Sequence, residues 1–417
     1  MPKLILNKLL NSIPLLLAMA FASAAPCQTL ARPGWAGSGM TAAPWWKRPV
    51  VYRADPRGFG GLHGLAEHMD YVHSLGVDAM LLTSLSADPK QSIDPALGTM
   101  DDLDEIIRRA SQFNIRVLAE IDSHGDLNSA TRLWLVHGIA GFYAPGATAA
   151  QLAEIRRSTT GFAGERIVIG DLSSIDSQTA SRSADAPQLV TDNRLSKQDK
   201  LSAVTFRSAI EASQQLADRG SSAPLLFSDA PSLKRSFTRY GDGTHDDAIA
   251  KVVAATLLTT RSSAMLYYGQ ELGMADGVSQ ILFGEAKKGE QPPAGSEALG
   301  NSSGSSLLNW YRQLIALSHS NRTIASGAVT LLDHDDQNVL AWVRRPASVS
   351  TATPPVIVIE NLSAQPVTVS LKADIQKLHL RGSFLRTVLR SDNAMGAMHL
   401  DSMTLQPYQV FIGELRY

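Results

Sequence analysis

The chain has 417 residues, of which 44% are hydrophobic and 18% charged, and its formal net charge at pH 7 is −1. That balance excludes wholesale disorder, which needs low hydrophobicity and a large net charge. A charge so close to zero also excludes a long-range field that would recruit nucleic acid or an anionic membrane. The length suits one large domain plus a smaller one, because single cores stop growing at roughly 250–300 residues.

The first residues read as a targeting segment. Lys3 and Lys8 precede an apolar run from Ile13 to Phe21, and Ala22-Ser23-Ala24 supplies the small residues of a cleavage site. A cleavable secretory signal, residues 1–24, cut after Ala24, is expected. The alternative is a membrane anchor, against which the run is shorter than the roughly 20 residues a spanning helix needs. With the signal removed, no transmembrane segment is expected, and the mature chain is secreted or periplasmic. Residues 25–43 read as a flexible lead. They hold Cys27, the single cysteine, so no internal disulfide is available despite an oxidising destination.

From Pro49 onward, short apolar runs alternate with amphipathic stretches. Val50–Tyr52 reads as a strand and Leu62–Leu75 as a helix, with Leu62, Leu65, Met69 and Val72 on one side. Strands follow at Val77–Leu82, Ile115–Ile121, Ile139–Tyr143, Arg166–Ile169, Leu225–Phe227 and Ala264–Tyr268. Helices are read at Met100–Phe113, Ser129–His137 and Asp246–Thr259. Such succession implies parallel βαβ units, more numerous than suits an open sheet. Ser173–Ala186 and Gly284–Ser306 read as loops or linkers. After a helix at Leu307–Leu317 the texture changes to short strands at Val329–Leu332, Val339–Val343, Val356–Ile359, Val367–Leu371 and Gln409–Ile412, an all-β sandwich.

Several strings carry a family signature. Pro44-Trp45-Trp46-Lys47 with Pro56-Arg57-Gly58-Phe59, GLAEHMDYVHSLGVDAMLL (Gly64 to Leu82) and IDPALGTMDDLDEIIRRASQFNIRVLAEI (Ile93 to Ile121) resemble the first third of glycoside hydrolase family 13, the α-amylase family, of the α-glucosidase and oligo-1,6-glucosidase kind. RSFTRYGDG (Arg235 to Gly243), LYYGQELGM (Leu266 to Met274) and SLLNWYRQLIALSHSN (Ser306 to Asn321) are similar to its later segments, in the same order. The resemblance implies a (β/α)8 TIM barrel over 44–320 with a reduced domain B, followed by a C-terminal β-sandwich over 321–417. It places the site at the C-terminal ends of the strands and implies a retaining glycosidase chemistry with two carboxyls about 5–5.5 Å apart.

Position by position, the implied site is degenerate. The nucleophile belongs in a Gly-Phe-Arg-Leu-Asp string; here it reads Gly141-Phe142-Tyr143-Ala144-Pro145, so Pro145 stands at the nucleophile position and Tyr143 at its arginine. The acid/base belongs at the end of Ile167-Val168-Ile169-Gly170-Asp171, where Asp171 is a carboxyl one methylene short; a misplacement of that size costs on the order of 10²-fold. The structural alternative for Asp171 is a polar cap at a strand end. The third acid falls on Ser232, or on Asp229 if the alignment shifts. Arg235 and His124 match sugar-contacting positions, with structural or idle roles as the alternatives. The chain runs from Ile121 to the next helix through Asp122-Ser123-His124-Gly125-Asp126, too short for the family's small inserted domain, so no calcium, other metal or cofactor is expected. His63, His68 and His73 lie five residues apart and do not share one helix face.

These readings leave three functions open: a carbohydrate- or partner-binding pseudoenzyme whose ligand is an α-glucoside or oligosaccharide; an active α-glycosidase with a rebuilt site using Asp171 with Asp229 or Asp122; and an envelope accessory protein with an unknown protein partner. An inverting version of the second needs two carboxyls roughly 6.5–9.5 Å apart.

Overall fold

A computed structural model describes residues 44–83, 85–86, 93–124, 126–174, 185–219, 222–283, 296–298 and 306–417. The expected signal, the lead with Cys27 and most of the two expected loops lie outside these residues.

Eight parallel strands close into a barrel in sequence order: β1 (Val50–Ala54), β2 (Ala79–Leu82), β3 (Arg116–Glu120), β4 (Gly141–Tyr143), β5 (Ile167–Asp171), β6 (Leu189–Asp192), β7 (Ala223–Leu226) and β8 (Ser263–Tyr267). β8 returns to β1 with Met265 opposite Val51. Around them lie α1 (Leu62–Glu67), α2 (Met69–Leu75), α3 (Met100–Gln112), α4 (Leu127–Val136), α5 (Ala149–Thr160), α6 (Ala203–Arg219), α7 (Ser236–Tyr240) and α8 (Asp246–Thr259). Alternate strand residues explain both layers, since successive side chains in a strand point to opposite faces. Val51, Leu81, Leu118, Ile169, Leu225 and Met265 meet in the interior. Their neighbours Val50, Tyr52, Met80, Leu82, Val117 and Val168 pack outward with the helices.

Local chemistry sets the element ends. The expected helix 62–75 is two helices, broken at His68, whose ring nitrogen bonds the Gly64 carbonyl at 2.7 Å. α2 ends at Gly76, in the left-handed region at φ 84, where a β-carbon is costly. α3 opens with a capping box between Thr99 and Asp102. The connection from β3 to α4 is residues 121–126, capped by Asp126, which accepts from the Asn128 and Ser129 amides. At the N-terminal end of the barrel, Trp45 and Trp46 pack against the interior core. Their indole N–H groups donate to the Glu165 carbonyl and carboxylate at 3.2 and 3.0 Å, and Arg116 stacks 4.5 Å over Trp45. The tryptophan pair is therefore a plug opposite the strand C-terminal ends.

Short strands β9 (Gln280–Leu282) and β10 (Ser296–Ala298) pair with each other. α9 (Ser306–Ser320) and α10 (Arg322–Ser326) lead into the C-terminal region. There, β11 (Ala328–Leu332), β12 (Val339–Arg345), β13 (Val356–Asn361), β15 (Phe384–Arg390), β16 (Ala397–His399) and β18 (Val410–Arg416) form one sheet in the order β11-β12-β13-β18-β15-β16. β14 (Val367–Val369) and β17 (Met403–Leu405) form a second, and α11 (Lys372–Lys377) follows β14. Period-two alternation splits the large sheet: Leu340, Trp342, Val356, Val358, Val410 and Ile412 join the core shared with the barrel helices, whereas Val339, Ala341, Val343, Ile357, Ile359 and Phe411 build a separate core. Buried arginines stitch the junction. The Arg344 guanidinium donates to the Thr259 and Ile324 carbonyls at 3.0 and 2.6 Å, and that of Arg207 to Val339 O at 2.8 Å.

Candidate functional site

A cavity of about 420 Å³ opens at the C-terminal ends of the barrel strands, the face on which barrel sites are built. Its floor comes from the last inward-facing residues of five strands. Arg53 is the penultimate residue of β1, Glu120 ends β3, Tyr143 ends β4, Asp171 ends β5 and Thr191 lies on β6. An Arg53 Nη donates to Glu120 Oε2 at 2.6 Å; the two side chains are 9% and 22% exposed. The same guanidinium stands 5.4 Å from the Tyr143 ring centre. The Tyr143 hydroxyl donates to Asp171 Oδ1 at 2.8 Å, and the Thr191 hydroxyl reaches the same oxygen at 2.7 Å. The Gly146 amide donates to Oδ2 at 2.8 Å. Burial, and next the adjacent Asp171 charge, raises the Tyr143 pKa, so the phenol stays a donor. These five floor residues hold one cation, Arg53, and two carboxyls, Glu120 and Asp171; Lys197 also lines the cavity.

The residues singled out from sequence divide sharply. Pro145, Asp171 and Ser232 line the cavity. Asp229 does not: it is 1% exposed and turned to α7, accepting from the Ser236 amide at 2.7 Å and the Ser236 hydroxyl at 3.0 Å. Burial raises its pKa, against the pull of those two donors. Asp122 and His124 bond each other at 2.7 Å and face solvent outside the lining, with side chains 53% and 89% exposed. The His124 backbone and ring hold the Asp122 carboxyl below the usual range. Arg235 is buried, donating to the Tyr268 carbonyl at 2.8 Å with its guanidinium 4.8 Å from the Tyr267 ring centre. Its observed contacts are structural.

Sequence reasoning passed over Arg53 and Glu120. Both were readable as charged residues at the C-terminal ends of expected strands, the positions that reach a barrel mouth. Among the described residues, no group of three or more His, Cys, Asp or Glu side chains is placed to hold a metal ion, and no helix is long and apolar enough to cross a membrane.

The closed parallel barrel, a cavity at its C-terminal face and an antiparallel β region behind it define a (β/α)8 protein with a C-terminal β domain. Residues 50–122 match the family model described as alpha amylase, catalytic domain. Trehalose-6-phosphate hydrolase of Escherichia coli (strain K12) is 36% identical over 101 residues, 20% of this chain and 18% of that protein. An α-glucosidase of Pediococcus pentosaceus is 30% identical over 95 residues, 18% of this chain and 17% of that protein. The chain thus matches less than a fifth of the length of either relative. In structure, the trehalose-6-phosphate hydrolase of Bacillus licheniformis superposes with a TM-score of 0.77 at 16% identity, covering 90% of this chain and 100% of that one. Over its front third this chain is similar to the catalytic domain of the α-amylase family, glycoside hydrolase family 13, and to α-glucosidase-like members of it.

Proposed function

We propose that this protein binds an α-glucoside at the barrel mouth and has lost most or all of the ability to hydrolyse it. The observation that carries the reading is the end of β4. The position that the resemblance gives to the nucleophile is Pro145, which lines the cavity and has no group able to form a glycosyl ester. The surrounding floor supports the same reading. Asp171 accepts from three donors and Glu120 is paired with Arg53, so both carboxyls are held as acceptors. Such fixed acceptors and donors suit the hydroxyls of a sugar, and a cavity of this size is ordinary for a small-molecule site. Export through the 1–24 segment belongs to the same proposal, and N-terminal sequencing of the mature protein beginning at Ala25 would support it.

A second reading, hydrolysis by a rebuilt carboxyl pair, draws on Glu120 and Asp171, which line one cavity. One experiment separates the two. The full chain is titrated with maltose and with trehalose by calorimetry, then assayed for glucose release. Binding without release fits a binding protein. Release that disappears in Asp171→Asn sinks the proposal in favour of the second reading, and absence of binding to either sugar sinks it outright.

A further inference from the structure

A second cavity, about 250 Å³, lies where the β domain meets the barrel, between α8, α9 and the turn after β15. Its wall is polar. Lys251, Ser306, Asn309, Gln313 and Asn393 contribute, with Trp310 as the apolar member. The Lys251 side chain is 9% exposed, and its ammonium lies 3.0 Å from the Asp247 carboxylate. It also bonds the Ser306 hydroxyl and lies 3.5 Å from the Ser391 carbonyl. All three of its protons thus have acceptors and its charge is matched. It is a fixed part of the wall and offers no free charge for an anion. The Trp310 indole N–H is also committed, donating to the Lys251 carbonyl at 3.0 Å.

The amides of Asn309, Gln313 and Asn393 are different. They line the same cavity, and among the described residues none of their side chains has a hydrogen-bond partner. Asn309 and Gln313 are four residues apart on α9, so they project from one face, while Asn393 faces them from the β domain. Each amide presents a donor and an acceptor side by side, the pattern that adjacent hydroxyls of a polyol match. We infer that this groove binds a small, uncharged polyhydroxylated ligand, a free sugar or polyol, bridging the barrel and the β domain. The site stands on different residues from the barrel mouth and does not depend on the function proposed for it.

The test is saturation-transfer NMR on the full chain with glucose as probe and acetate as competitor. The Asn309→Leu/Gln313→Leu double variant removes two of the amides. Asn393→Gly removes the third while keeping the left-handed φ of 57 that this position adopts. Asp171→Asn alters the mouth alone. The inference expects a saturable glucose signal that, in the Asp171→Asn background where the mouth contributes least, weakens at least tenfold in the double variant and severalfold in Asn393→Gly. It should persist in Asp171→Asn and resist acetate. A signal unchanged by the groove variants, lost in Asp171→Asn, absent altogether, or displaced by acetate overturns it.

Discussion

Glu360 offers the sharpest physical test of how the two regions are joined. It sits on β13 at the centre of the large sheet, opposite Leu340 on one side and Val410 on the other, and it is fully buried. Its Oε1 has no partner, and its Oε2 lies 2.7 Å from the Thr256 hydroxyl on α8. That hydroxyl also lies 3.1 Å from the Val252 carbonyl. A hydroxyl has one proton. Both contacts are satisfied together when neutral Glu360 donates to Thr256 and Thr256 donates to Val252. Burial without a counter-charge raises the Glu360 pKa well above its ordinary value. Below about pH 4.3 both folded and unfolded chains keep this proton and the stabilisation is complete. Above it the unfolded chain releases the proton and the folded chain does not. The unfolded state then binds fewer protons, and stability falls by about 1.4 kcal/mol per pH unit until the folded pKa is passed.

Glu360→Gln removes the titration, and its amide can still donate to Thr256. The difference in unfolding free energy between variant and parent, from urea titrations at pH 4, 5.5 and 7, should start near zero or slightly unfavourable. It should then grow in favour of the variant as the pH rises, by at most about 1.4 kcal/mol per pH unit. A difference that stays flat across this window refutes the neutral-acid argument.

Three further outcomes follow from the mouth. Tyr143→Phe deletes a donor to a carboxylate and should cost roughly 1.5–3 kcal/mol in a urea melt, with weaker maltose binding by calorimetry; an unchanged melt would detach Tyr143 from Asp171. Glu120→Gln leaves the Arg53 guanidinium, whose side chain is 9% exposed, without its counter-charge. A loss on the order of 3 kcal/mol is expected, read in the same melt, and full stability would mean Arg53 finds another acceptor. Asp229→Ala strands the Ser236 amide and should cost roughly 1–3 kcal/mol while leaving maltose affinity within error, because Asp229 lies outside the cavity lining; loss of affinity at full stability would return Asp229 to the site.

Much of the fold was legible because its signals are local. The helix Asp246–Thr259 coincides with the observed α8, and the strands at the front of the barrel fall within a few residues of expectation. What was missed has physical causes. β6 is only Leu189–Asp192, and α5 and α6 are rich in alanine, serine and charged residues with modest apolar stripes, so neither period stands out. β15 carries Arg386 and Arg390 among its apolar residues, and β16 and β17 are three residues each. The close approach of Gly64 to the Phe59 carbonyl, where a β-carbon would stand 2.0 Å from the oxygen, is likewise invisible to helical spacing.

The site was legible only where the resemblance supplied a register. It led to Pro145, Asp171 and Ser232, which do meet in one cavity, but it could not say that Asp229 turns to cap α7. Nor could it show that Arg53 reaches across from β1 to Glu120 on β3. That pairing joins residues 67 apart in sequence, from strands on either side of β2.

The most direct measurement is a crystal structure of the full chain soaked with maltose, read at the anomeric carbon. A glucose ring is expected in the barrel mouth, hydrogen-bonded to Asp171 or Glu120 through its hydroxyls, with Pro145 beside it and no carboxylate oxygen within the roughly 3–3.5 Å of C1 that an attacking group needs. A carboxylate from the strand ends standing in line with the glycosidic bond at that distance would contradict it.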